Sequence, residues 1–132
     1  MTYSRFIIID HSAKRSGKHQ DLRFKRPKDI MWDSFAIRKG IPLEPGIKVL
    51  AIKTRLHTEK EALFVGKIKE GYGAGLLKKF DDGYCQILKY SNYHIIIKFY
   101  GKVVKGVYHL LNTGLRDSKY NSTKFLLFKS KE

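Results

Sequence analysis

The sequence predicts an all-β protein, a compact β-barrel, closed or partly open, of about eight short strands with at most short helical turns. Three observations lead there. Helical periodicity is scarce along the chain. Short runs rich in Val, Ile, Phe and Tyr recur between glycine, proline and polar clusters. Two of those separators, Asp81-Asp82-Gly83 and Gly101-Lys102, have the character of hairpin turns.

Phe6 to Asp10 reads as the first strand, and Ser12 to Lys18 as a polar loop containing Gly17. His19 to Lys25 is the second strand, turned by Arg26-Pro27-Lys28-Asp29. Trp32 to Ile37 is the third. The stretch from Gly40 to Gly46 is irregular, because Pro42 and Pro45 lack a backbone donor. Lys48 to His57 alternates and predicts a strand ending at His57. Thr58 to Ala62 fits one helical turn, with Thr58 as N-cap and Glu61 three residues on. Leu63 to Lys69 is strand-like, and Gly71 to Gly75 a glycine-governed bend. Leu76 to Phe80 and Tyr84 to Tyr90 flank the first hairpin signal; His94 to Tyr100 and Val103 to Leu111 flank the second. Asn112 to Thr123 reads as a polar loop, and Phe125 to Lys129 closes the chain.

With 132 residues and 42% hydrophobic content, a single domain spanning 1–132 can bury a core. No apolar run is long enough to cross a membrane as a helix. The start, with four apolar residues before Asp10, does not read as a signal peptide. The lone Cys85 forms no internal disulfide and no metal motif, so a cytoplasmic protein is the simplest expectation. The net charge is +15 and is spread along the sequence. Such an excess favours a polyanionic partner, nucleic acid first, bound more weakly as salt rises. A basic structural protein of ribonucleoprotein satisfies the same composition. An anionic membrane surface fits less well, because no long amphipathic basic helix is present.

The chemistry concentrates in His19-Gln20-Asp21-Leu22-Arg23. On a strand, His19, Asp21 and Arg23 share one face. Imidazole and carboxylate make a transition-metal ligand set, and a guanidinium fork matches a phosphate. An exposed face with a cross-strand ion pair is the plainer alternative. His11 favours the site, because the Gly17 loop can return the chain and bring His11 to His19. His57 is a candidate to bind phosphate or to protonate a leaving oxygen. His94 and His109, in apolar strands without acidic neighbours, read as structural. Gly71 to Gly75 lacks the Gly-Lys-Ser/Thr ending of a phosphate loop. Cys85 reads as a core residue.

Several segments then line up in order: Phe6-Ile7-Ile8-Ile9-Asp10-His11, His19-Gln20-Asp21-Leu22-Arg23-Phe24, and Ser34-Phe35-Ala36-Ile37-Arg38-Lys39-Gly40. Leu43-Glu44-Pro45-Gly46, His57, Glu70 to Gly75, Asn112-Thr113-Gly114 and Lys124 to Lys129 follow. In this order they resemble the 3′-phosphoesterase domain of bacterial DNA ligase D and its free-standing archaeal and bacterial relatives. The resemblance implies a β-barrel that removes a terminal ribonucleoside to leave a 3′-phosphate, then the phosphate itself. It implies manganese held by His11, His19 and Asp21, and places Arg23 and His57 on the phosphate as catalytic groups. It aligns Lys39 with a lysine that contacts phosphate or nucleic acid, although Arg38 replaces a proline. Three departures stand out. The loop between His11 and His19 is longer than usual. Glu61 replaces an active-site tyrosine, as a carboxylate that repels phosphate unless it is metal-bound. Val49 and Arg55 stand where relatives often carry arginine and glutamate.

The expected function is therefore a metal-dependent 3′-end-processing phosphoesterase, using manganese or another divalent transition metal. Its substrates are nucleic-acid 3′ ends, primer-template DNA or 3′-ribonucleotide termini, in repair by non-homologous end joining. A separate DNA ligase or polymerase is a candidate protein partner. The rival is an end-binding module that has lost its chemistry.

Overall fold

The computed structural model describes residues 2–71, 74–118 and 121–131. Among these residues nine strands run antiparallel: β1 (Thr2–Ala13), β2 (Gly17–Lys25), β3 (Trp32–Ile37), β4 (Lys48–Lys53), β5 (Gly66–Ile68), β6 (Gly75–Tyr90), β7 (His94–Tyr100), β8 (Lys105–Arg116) and β9 (Thr123–Lys129). Among the described residues one short helix, α1 (Glu59–Ala62), interrupts them. The sheet runs β1-β2-β3-β4-β9-β8-β7-β6, and β1 pairs with β6 to close it. That is the predicted closed barrel of eight strands, with β5 added to the edge of β6. Closure removes the exposed edges that an open sheet would present.

The barrel interior takes alternate residues: Phe6 and Ile8 of β1, Leu22 and Phe24 of β2, Phe35 and Ile37 of β3, and Ile95, Ile97 and Phe99 of β7. A second, smaller cluster lies outside the wall. Ile7, Ile9, Trp32, Ala62 and Leu77 form it, under the chain that links β4 to β6. This explains why Phe6-Ile7-Ile8-Ile9 is continuously apolar. All four are buried, two on each face of β1. The covering strap is tied down where His57 and Trp32 exchange backbone hydrogen bonds of 2.8 and 3.0 Å. The predicted helical turn forms α1, and the full capping box of Thr58 and Glu61 is present.

Four sequence expectations change. Asp81-Asp82-Gly83 is no hairpin, because β6 runs unbroken from Gly75 to Tyr90. The signal marks a bulge: Ile8 faces Asp81 and Ile9 faces Lys79, leaving Phe80 unpaired. Asp81 then accepts the backbone N–H groups of Lys102, Val103 and Val104 at 2.7–3.0 Å, holding the genuine β7–β8 turn. Gly83 is needed because a Cβ there would meet the Tyr100 carbonyl at 2.8 Å. Second, Asn112 to Arg116 continue β8 against β9, beyond the core and solvated on both faces, which hides the alternation. Third, β1 and β2 extend to Ala13 and Gly17, so the expected loop after His11 is a tight turn. Fourth, β4 ends at Lys53, and only Gly66 to Ile68 of the strand expected after Leu63 is paired. The glycine-governed bend falls partly outside the described residues, at Tyr72 and Gly73.

Candidate metal and phosphate site

The β1–β2 hairpin sets His11 directly opposite His19, and Ile9 opposite Asp21. Because the strand period is two, His11 shares the outer face of β1 with Ile7 and Ile9, and His19, Asp21 and Arg23 share the matching face of β2. The site therefore lies on the barrel's outer wall, beside the small cluster under the strap. The rings of His11 and His19 are 4.7 Å apart. His11 Nδ1 lies 3.0 Å from Asp21 Oδ2, and His19 Nε2 lies 3.0 Å from Asp21 Oδ1. Arg23 donates to the same carboxylate at 3.3 Å. Asp21 and Arg23 are each only 5% exposed. Burial pushes the Asp21 carboxyl up. The hydrogen bonds from His11 and His19, with the charges of His19 and Arg23, outweigh it and hold Asp21 well below the usual carboxylate range.

This donor set fits a divalent cation. One ligand atom from each of His11, His19 and Asp21 lies within 4.8 Å of the others. His19 Nδ1 is 3.3 Å from the Gly17 carbonyl, which can take the ring proton and leave Nε2 for a cation. Nε2 faces the Asp21 carboxylate across 3.0 Å. Two imidazoles and one carboxylate also suit manganese, iron, cobalt or zinc and leave coordination positions open.

Arg23 joins this cluster to the strap. It donates to the Glu61 and Ala62 carbonyls of α1 at 3.2 and 3.1 Å. Its buried Nε has no hydrogen-bond partner among the described residues. Arg23, Arg55, His57, Lys60 and Glu61 then line a cleft of about 350 Å³ floored by Phe64, Ile68 and Leu77. His57 donates from Nδ1 to the Arg55 carbonyl at 2.9 Å, which leaves Nε2 as its variable nitrogen. Burial, the Arg23 charge and the Arg55 charge lower the His57 pKa, against the Arg55 carbonyl and Glu61, so the free ring is neutral near pH 7.

Glu61, expected to repel phosphate unless metal-bound, has a cationic partner in Arg55. Its carboxylate pairs with Arg55 at 3.0 and 3.3 Å and accepts the Thr58 N–H at 2.9 Å. The Arg55 hydrogen bond, then that of Thr58, depress its pKa to about 2. Arg55 itself was legible only as a departure; its two-residue spacing from His57 was the available signal. Lys39 lies exposed after β3, away from every contact described for the cluster. Its loop is anchored by Gln20, which accepts the Ile41 N–H at 2.9 Å. His94 and His109 hydrogen-bond each other at 2.8 Å, and Cys85 is a core thiol that burial pushes up to about 12.

The fold and cluster define a closed antiparallel barrel with a candidate cation and oxyanion site on its outer wall. Residues 9–112 match the family described as the DNA ligase D 3′-phosphoesterase domain, and the chain belongs to that family. It is 33% identical over 121 residues to a multifunctional non-homologous end joining protein LigD of Mycolicibacterium smegmatis, covering 83% of this chain. It is 31% identical over 134 residues to the protein of that name from Pseudomonas aeruginosa, covering 97% of this chain. The chain spans 15% of the length of each of those relatives.

Proposed function

We propose that the chain is a metal-dependent phosphoesterase that trims nucleic-acid 3′ ends during non-homologous end joining, with His11, His19 and Asp21 as metal ligands. The observation that carries this reading is the convergence of two imidazoles on one buried carboxylate that also holds a guanidinium. A cation held there supplies Lewis-acid charge at a phosphate oxygen and acidifies water, and the family resemblance favours manganese. In the first reaction the oxygen of water bonds to phosphorus. The bond from phosphorus to the 5′ oxygen of the terminal ribonucleoside breaks, and that oxygen takes a proton.

The chain's own residues divide this work. Arg23, fixed by Asp21 and α1, brings its guanidinium charge to the cleft wall, where it stabilises the phosphoryl oxygens as negative charge develops. His57 presents Nε2 to the cleft, and anionic phosphate favours its protonation there, so the ring supplies the proton to the leaving oxygen. Lys39 and the surface lysines hold the duplex through its backbone, with little sequence preference. The Arg55 partner of Glu61 supports the phosphomonoesterase step, because the carboxylate enters the cleft already neutralised. The same contact counts against the end-binding module.

A primer-template ending in one 3′ ribonucleotide tests this, with manganese or with chelator. Shortening to a 3′-phosphate and then a 3′-hydroxyl, only with manganese, is the expected result. Unchanged substrate despite tight binding contradicts it.

A further inference from the structure

We propose that the outer wall of β1, β6, β7 and β8 is a track for single-stranded nucleic acid, with bases stacked on Tyr84 and Tyr100 and phosphates held by Arg5, Lys98 and Lys105. The inference rests on the nucleic-acid reading above and extends it to a surface outside the cleft.

The register places Arg5, Tyr84, Tyr100 and Lys105 side by side in one row across four strands. Their in-strand neighbours Phe6, Cys85 and Phe99 are buried, so the row faces outward. Tyr84 is 69% exposed and Tyr100 46%. In the next row Gln86 and Lys98 sit side by side, and the Lys98 ammonium lies 5.5 Å from the Tyr100 ring. Between Asp82 and Asp117 the sequence contains no acidic residue, while Lys89, Lys98, Lys102, Lys105 and Arg116 fall within it. The two carboxylates at the border are engaged: Asp82 with Lys79 at 3.5 Å, and Glu59 with Arg5 at 3.6 Å. Exposed tyrosine rings interleaved with lysines suit stacked bases and a phosphate backbone. The row also begins on β1, whose same face carries Ile9 and His11. Arg5 and His11 are separated by about 20 Å at strand rise.

The test is fluorescence anisotropy with the full chain and an oligothymidylate of about 12 nucleotides. Tyr84→Ala/Tyr100→Ala is expected to weaken binding by roughly 10-fold or more, whereas Tyr84→Phe/Tyr100→Phe keeps the rings and the affinity. Lys98→Gln and Lys105→Gln should each reduce the slope of log affinity against log salt by about 0.7. Equal thermal midpoints show that the variants fold, and the lysine pair tests the track should the alanine pair not fold. Three outcomes overturn it: no binding by the wild-type protein, equal binding by the alanine pair, or equal displacement by polyglutamate, which assigns the wall to an acidic protein. The assay requires no cleavage. Intact 3′-end processing without a tyrosine effect sinks the track alone, and tyrosine-dependent binding without processing sinks the reading of the cleft alone.

Discussion

Glu61 faces the cleft as one half of an ion pair with Arg55, at 3.0 Å through the terminal nitrogen and with a second contact of 3.3 Å. Removing only Arg55 leaves a lone carboxylate beside the proposed phosphate site. Arg55→Ala is expected to raise the KM of a 3′-phosphate substrate about fivefold at low salt, since an exposed pair is worth roughly 1 kcal/mol or less. Arg55→Ala/Glu61→Gln should recover most of the loss. Steady-state kinetics of both variants check it, and equal KM values in wild type and Arg55→Ala contradict it.

Arg23 has one guanidinium bonded at once to Asp21 and to two α1 carbonyls. An ammonium is a point donor and cannot reproduce that fork. Arg23→Lys should therefore lose about 10²-fold in kcat, as removal of an oxyanion donor does. Single-turnover cleavage measures this, and near wild-type rates for Arg23→Lys would show that the fork is dispensable.

The His57 proton gives a pH signature. Its pKa is lowered from 6.5, and in the proposed mechanism the leaving oxygen takes its proton from this ring. The His57 limb of kcat/KM should thus fall as pH rises, with its midpoint below 6.5. His57→Gln should remove that limb. A midpoint above 6.5 contradicts this assignment.

Asp21 and Asp81 link stability to pH. Burial raises both carboxyls, but hydrogen bonds from His11 and His19 to Asp21, and from backbone N–H groups to Asp81, lower both overall. A carboxyl depressed on folding stabilises fully above its unfolded pKa, here 3.8, and that stability is lost as pH falls. Chelator-treated protein should show a urea midpoint that drops as pH is lowered from 5 toward 2. Asp81→Ala should cost about 2–4 kcal/mol at pH 7, by leaving the β7–β8 turn donors unpaired, and should flatten the drop. A midpoint flat in pH contradicts both assignments.

Much of this was legible in the strand period. His19, Asp21 and Arg23 share a face because alternation requires it, and the apolar run from Phe6 to Ile9 marks a strand buried on both sides. The four-residue capping box also disclosed α1. What stayed hidden was long-range. Asp81 looked like half of a turn because turn chemistry is local, yet its carboxylate serves a turn some twenty residues on. The Arg55 contact that neutralises Glu61 depends on how the strap folds over β1 and β2, and neither residue's neighbours encode it. His57 was expected at the end of a strand. A backbone bridge to Trp32 positions it instead, and pairing of that kind leaves no periodic trace.

The central claim is that His11, His19 and Asp21 hold one cation. Electron paramagnetic resonance of free manganese, titrated with the wild-type protein, reads it directly. The account predicts one manganese bound per chain, weakened at least roughly 10-fold in both His19→Ala and Asp21→Asn. Manganese bound equally well by the wild type and by both variants would contradict it.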